Sequence, residues 1–399
     1  MNIHRLSNLL ELVVFNARIV TDDGVVENGV LRAVDGVIEF VGPQESMSAL
    51  TLSPQAQLLN AAGSWLLPGF IDLHVHGGYG ADFMDANEAA YDTITRFHAK
   101  HGTTAMLATT VTAPHEALEN VFAAVADYTS GGAMPYAQLL GMHLEGPFIS
   151  PKRPGAQNPS YIEAPRRDWL EAWEARYPGL LRLLTLAPER EGALEAIAWL
   201  RDRGIVAACG HTDADYAAMQ AAVGAGLTHA AHTFNAMKGL HHREPGAVGA
   251  VLTDERVSAE VIADGHHVHP AAVRLLTMVK QQRNLLLITD AIAAAGLGDG
   301  VYRLGGLDVV VHRGAARLKD GDSLAGSTLT MIEALRFMVK EVGISVSDAS
   351  RLASGNPAKQ LRLDDRLGSI APGKQADLLL VGSGLELERV WVRGKELIE

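Results

Sequence analysis

Six side chains in this sequence are of types that hold divalent cations or carry protons: His74, His76, Glu145, His211, His232 and Asp290. Each directly follows, or ends, a short apolar run. In Asp72-Leu73-His74-Val75-His76 the two histidines are two residues apart, so on an extended strand they project from one face and can share an ion. His143-Leu144-Glu145-Gly146 places a carboxylate at a comparable strand end, and Gly210-His211, His232 and Asp290 follow three further runs. Singly, each has an ordinary reading: a solvated histidine pair, a surface or helix-capping acid, a hydrogen-bonded core histidine. Jointly, they predict a metal centre with nitrogen and oxygen ligands and no thiolate, which suits zinc and also iron, manganese or cobalt, one or two per subunit. Such an ion activates water and polarises a carbonyl, which is the chemistry of hydrolysis.

Residues so far apart in sequence need a scaffold that gathers strand ends. The runs 70–75, 104–108, 139–144, 181–186, 205–209, 227–231, 257–262 and 285–289 alternate with stretches of helical periodicity. Eight buried strands separated by helices predict an α/β fold of the (β/α)8 TIM-barrel type, in which working residues stand at the C-terminal strand ends. The first 65 residues alternate apolar and polar positions between Asp23-Gly24, Asn28-Gly29 and Asp35-Gly36, the pattern of antiparallel hairpins. Similar runs at 376–381 and 389–392 lead to a small β-sandwich domain built from both chain ends, residues 1–66 and 372–399, around a catalytic barrel spanning 67–371. Residues 302–318 read as an inserted hairpin, a candidate lid, before a helix starting near Ser327.

Composition narrows the partners. A 399-residue chain with 48% hydrophobic residues can bury a large core. Its net charge of -12 argues against nucleic acid or an anionic membrane surface. The lone cysteine, Cys209, excludes an internal disulfide and reads as a buried strand residue. Neither a secretory signal nor an apolar run of membrane length is evident, so the expected location is the cytoplasm. Any phosphate must be held locally, and Arg243 in His241-His242-Arg243-Glu244 is a planar donor suited to it, unless it simply pairs with Glu244. Leu324-Ala325-Gly326 precedes a helix and offers backbone groups to a polar ligand.

The segments His74-Val75-His76-Gly77-Gly78-Tyr79-Gly80, His143-Leu144-Glu145-Gly146-Pro147-Phe148, Gly210-His211-Thr212, His232-Thr233-Phe234-Asn235-Ala236-Met237, Ala263-Asp264-Gly265-His266-His267 and Thr289-Asp290-Ala291 resemble, in order, those of the N-acetylglucosamine-6-phosphate deacetylases, a branch of the amidohydrolase superfamily. The resemblance implies that Glu145, His211 and His232 hold one metal and that His74, His76 and Asp290 complete a second site sharing Glu145. It further implies an N-acetylated sugar phosphate as substrate, a homodimer, Asp290 as proton shuttle, and phosphate contact by Arg243 within or across that dimer. Ala156, Asn235, Ala236, His267, Leu324, Ala325 and Gly326 would line the substrate site. Gln157 departs from the histidine that some members carry where the acetamide oxygen is polarised, which shifts carbonyl activation toward the metal. Two rival readings are an amidohydrolase acting on another acyl sugar or cyclic amide, and a silent scaffold. The phosphate-type donors argue against a cyclic amide, and the full ligand set against a scaffold.

Overall fold

The computed structural model describes residues 10–132, 134–321 and 323–398. Eight parallel strands follow one another in the central sheet: β1 (Phe70–Asp72), β2 (Thr103–Thr109), β3 (Gln138–Glu145), β4 (Leu181–Leu186), β5 (Val206–Cys209), β6 (His229–Ala230), β7 (Ser258–Ile262) and β8 (Leu285–Ile288). Helices cover the outside, their starts fixed by local chemistry. The Asn87 side chain accepts from Ala90 N at the head of Glu88–Ala99, and Asp215 from Ala218 N at the head of Tyr216–Ala225. Alternate positions such as Ile71 and Leu73, or Ala105 and Leu107, join Leu183, Ala208 and Leu286 in one buried cluster closed by Leu361 and Leu367.

The barrel is stitched differently at its seam. Among the described residues no strand ladder joins β1 to β8. Instead the Asp290 N–H donates to His74 O at 2.8 Å, the His76 N–H donates to Ala291 O at 2.9 Å, and the Thr289 hydroxyl donates to the buried Asp72 carboxylate at 2.5 Å. Burial pushes the Asp72 carboxyl up to about 7 despite the opposing Thr289 hydrogen bond.

Both chain ends meet in one eight-stranded sheet. Strand Leu378–Val381 runs antiparallel to Trp65–Pro68, pairing Leu378 with Pro68 and Val381 with Trp65. The sheet's own core holds Leu12, Val14, Leu31, Ile38, Leu66, Leu380 and Trp391. No helix among the described residues is long and apolar enough to cross a membrane.

Two expectations change. The insertion at 302–318 is a three-stranded meander, Gly300–Leu304, Leu307–His312 and Ala315–Leu318, rather than a hairpin. Its inner side chains Leu304, Val309, Val311 and Ala316 pack on Val111, Ile292, Ala294 and Ala325, so it is an anchored roof. The following helix starts at Met331, not near Ser327, because Ser327 is engaged elsewhere: its hydroxyl donates to Thr289 O and its N–H to Asp290 O.

Candidate metal centre and substrate cavity

All six predicted ligands stand at the barrel's C-terminal mouth and are at least nine-tenths buried. Glu145 is the last residue of β3, and His211, His232 and Asp290 each lie two residues beyond a strand. Those three adopt left-handed backbone, with φ of 46°, 28° and 51°, which turns the chain sharply as it leaves the barrel and aims each side chain inward. For histidine this conformation is strained, a feature common where function over-determines geometry. Gly77 forms a tight ladder with Asp82, and a Cβ there would lie 2.3 Å from Ala81 O, so the loop behind the histidine pair admits only glycine.

Glu145 is the hub. Its Oε1 lies 3.0 Å from His232 Nε2, 3.2 Å from His74 Nε2 and 3.3 Å from His211 Nε2, and its Oε2 lies 3.4 Å from His76 Nε2. His211 and His232 Nε2 are 3.1 Å apart. These separations approach the tetrahedral edge of about 3.3 Å for ligands roughly 2.0 Å from zinc. His74 Nε2 is moreover a buried nitrogen with no hydrogen-bond partner, as expected of a ligand lone pair. Two groups could hold an ion: His74, Glu145 and His232, and His74, His76 and Asp290. The residues fit a divalent metal, in one or both positions.

Electrostatics agree. Burial disfavours charge on His74 and His76, but Glu145 with Glu260 and Asp290 with Glu145, respectively, overcome it and raise both imidazoles, His76 to about 9. Burial likewise raises the Glu145 carboxyl, yet His74, His211 and His232 hold it well below the usual range.

Above this floor lies a cavity of about 390 Å³ lined by His76, Glu145, His211, His232 and Asp290, together with Ala156, Gln157, Asn235, Ala236, His267, Leu324 and Gly326. His267 is oriented by Asp264, whose Oδ2 is 2.7 Å from its Nδ1. Ala325 is buried under the roof and is not among the lining residues. Arg243 is not among them either. It lies exposed on a loop, its Nη1 2.8 Å from His242 Nε2. Gln157 is fixed at both ends: its Oε1 accepts from Thr112 N and its Nε2 donates to Glu145 Oε2, each at 2.6 Å, leaving one N–H for any other partner.

Sequence reasoning missed three contributors. Lys152 and Arg153 line the cavity, and the Arg153 carbonyl sits 3.0 Å from His211 Nδ1, fixing that ring. Glu260 on β7 is fully buried beneath the histidines. Its signal was a charged residue inside the short strand run Val257 to Ile262, which burial tolerates only with partners.

The Amidohydrolase family model matches residues 65–397. The N-acetylglucosamine-6-phosphate deacetylase of Bacillus subtilis (strain 168) is 41% identical over 385 residues, 96% of each chain. The N-acetylgalactosamine-6-phosphate deacetylase of Escherichia coli O157:H7 is 40% identical over 378 residues, 95% of this chain and 97% of that one. Among solved structures, a variant of N-acetyl-D-glucosamine-6-phosphate deacetylase from Mycobacterium smegmatis, in complex with N-acetyl-D-glucosamine-6-phosphate, superposes with a TM-score of 0.90 at 36% identity, covering 97% of this chain and 99% of that one.

Proposed function

The chain belongs to the amidohydrolase family, and from that premise we propose that it hydrolyses the acetamide of N-acetylglucosamine 6-phosphate, releasing acetate and glucosamine 6-phosphate in amino-sugar catabolism. The observation that carries the reading is the convergence of Glu145, four histidines and Asp290 at the floor of a cavity of sugar-phosphate size. Zinc suits the near-tetrahedral spacing best. A divalent ion there lowers the pKa of bound water toward about 7 and polarises the amide carbonyl.

The chain's own groups do the rest. Asp290 is the most open carboxylate of the cluster, its side chain 11% exposed against 2% for Glu145. Burial raises its carboxyl, but the His76 hydrogen bond and the charges of His74 and His76 prevail and leave it below the ordinary carboxylate range. It is therefore ionised at neutral pH and able to accept a proton. Its Oδ1 faces His76 Nε2 at 3.1 Å, so Oδ2 takes the proton and returns it to the departing amine. Glu145, held by Gln157, keeps Oε1 toward His74, His211 and His232 and Oε2 toward His76. The roof covers one side of the cavity, and Asn235, Ala236 and His267 position the sugar.

Arg243 grips the phosphate from a neighbouring subunit in a homodimer. Its exposure outside its own cavity, and the two histidines beside it, support this. Arg243→Ala should raise KM for the phosphorylated sugar tenfold or more, the scale of about 1.4 kcal/mol or more for a charge-assisted contact, with metal content unchanged. An unaltered kcat/KM would remove Arg243 from the site. The lone, buried Cys209 is consistent with a reducing cytoplasm.

The decisive assay measures acetate release from N-acetylglucosamine 6-phosphate, its galactosamine epimer and the unphosphorylated sugar after metal reconstitution. The glucosamine phosphate should be turned over fastest. Preference for the galactosamine epimer would overturn the epimer assignment alone, and equal rates without phosphate would overturn the phosphate reading. Prolonged chelation should abolish activity and added zinc restore it, with roughly one to two metal equivalents by elemental analysis. Full activity in a metal-free sample sinks the metal reading.

A further inference from the structure

Glu260 has no contact with the substrate cavity, yet three elements of the site end on it. Its Oε2 lies 2.9 Å from His74 Nδ1 and accepts the backbone N–H of His232 at 3.1 Å, while Oε1 lies 2.8 Å from His229 Nε2. The carboxylate is 0% exposed, as are His74 and His229. A buried carboxylate forces both imidazoles to present N–H toward it, since an acceptor facing an acceptor would leave both unpaired in a medium that cannot solvate them. For His74 this fixes the Nδ1–H tautomer and leaves the Nε2 lone pair free. That nitrogen is the one without a hydrogen-bond partner, and it lies 3.2 Å from Glu145 Oε1 and 3.6 Å from Asp290 Oδ1.

His74 is also the one histidine present in both groups able to hold an ion. The His211 and His232 pair can be completed by Glu145 alone. The second position, made of His74, His76 and Asp290, has no independent carboxylate beyond Asp290 and depends on how His74 points. Charge gives a second reason. Glu260 adds a third buried negative charge to those of Glu145 and Asp290, more than a single divalent ion neutralises, and an unbalanced buried charge is costly.

We infer that Glu260 is a positioning residue that makes His74 a ligand and thereby commits this chain to two metal ions rather than one. It acts through the imidazole, as outer carboxylates do for metal-bound histidines, and never meets the substrate. The inference rests on the metal-dependent reading of the site.

The test titrates stripped full-length protein with zinc against a competing chelator. Wild type should bind two ions. Glu260→Gln, of nearly equal volume, should bind the second roughly 10–100-fold more weakly and the first about as well. His229→Gln, which disturbs the far oxygen of the same carboxylate and leaves the His74 contact in place, should keep both. Thermal denaturation of each metal-free variant accompanies the titration. Histidine nitrogen NMR of the zinc-loaded wild type supplies a reading that needs no variant: His74 should appear protonated at Nδ1 and metal-bound at Nε2. Two tight ions in Glu260→Gln, equal loss in both variants, or metal on His74 Nδ1 each overturns the inference while leaving a metalloenzyme. A wild type that binds no ion overturns the metal reading and this inference with it.

Discussion

Asp290→Asn lowers kcat by roughly 10²–10⁴-fold, the span typical of losing a general acid-base group, while KM changes little. The expectation is specific because the substitution is quiet in every other respect. Asn keeps the size of Asp and an oxygen that can face His76 Nε2, now 3.1 Å from Oδ1. It also tolerates the left-handed backbone at this position, φ 51°, which most residues would strain to adopt. What it cannot do is take a proton. Metal content must be measured on the same preparation, because Asp290 is also a candidate ligand and an empty site would imitate a missing base. An Asn variant that keeps its metal and works at near wild-type rate assigns the proton to another group, and His143 and His267 are the next to substitute.

The second large effect is expected at Glu145. Its two oxygens face four histidine nitrogens within 3.4 Å and also accept from Gln157. In Glu145→Gln one oxygen becomes an NH2, and neither orientation suits it. Turned toward Gln157 it meets a donor whose own flip is fixed by Thr112, and turned toward the histidines it faces the ion. Metal affinity should therefore fall by more than the roughly 10–100-fold seen when only an outer partner of a ligand is lost, and activity with it. Chelator competition gives the affinity and acetate release the rate. A Gln variant that retains its metal and hydrolyses within tenfold of wild type removes Glu145 from the centre.

The strands that carry these residues were legible because each is a short apolar run bounded by turn signals, and the candidate ligands because they sit where such runs stop. What escaped was whatever had no local signal, or one whose meaning lay elsewhere in the chain. The roof meander turns twice through two-residue loops with positive φ at both positions, Gly305-Gly306 at 56° and 82° and Arg313-Gly314 at 51° and 79°. The first advertises itself in glycine. The second puts an arginine in left-handed backbone, so only one turn was visible and three strands read as two. Glu260 escaped because its meaning depends on His74, 186 residues earlier in the chain. Arg243 shows the opposite limit: its chemistry suits phosphate, but its residue type says nothing about its place, which is outside the cavity of its own chain.

One consequence concerns how the barrel comes apart. Seven of its eight junctions are strand ladders, while the junction between β1 and β8 rests on individual hydrogen bonds and the Asp72 carboxylate. His74 and His76 stand on one side of that junction and Asp290 on the other. An ion bound by all three would also clasp the one join of the ring that has no strand ladder among the described residues. Stability drawn from a ligand scales with its free concentration. Metal supply would therefore bear on how firmly the ring closes at this seam, beside the aspartate proposed to carry the proton.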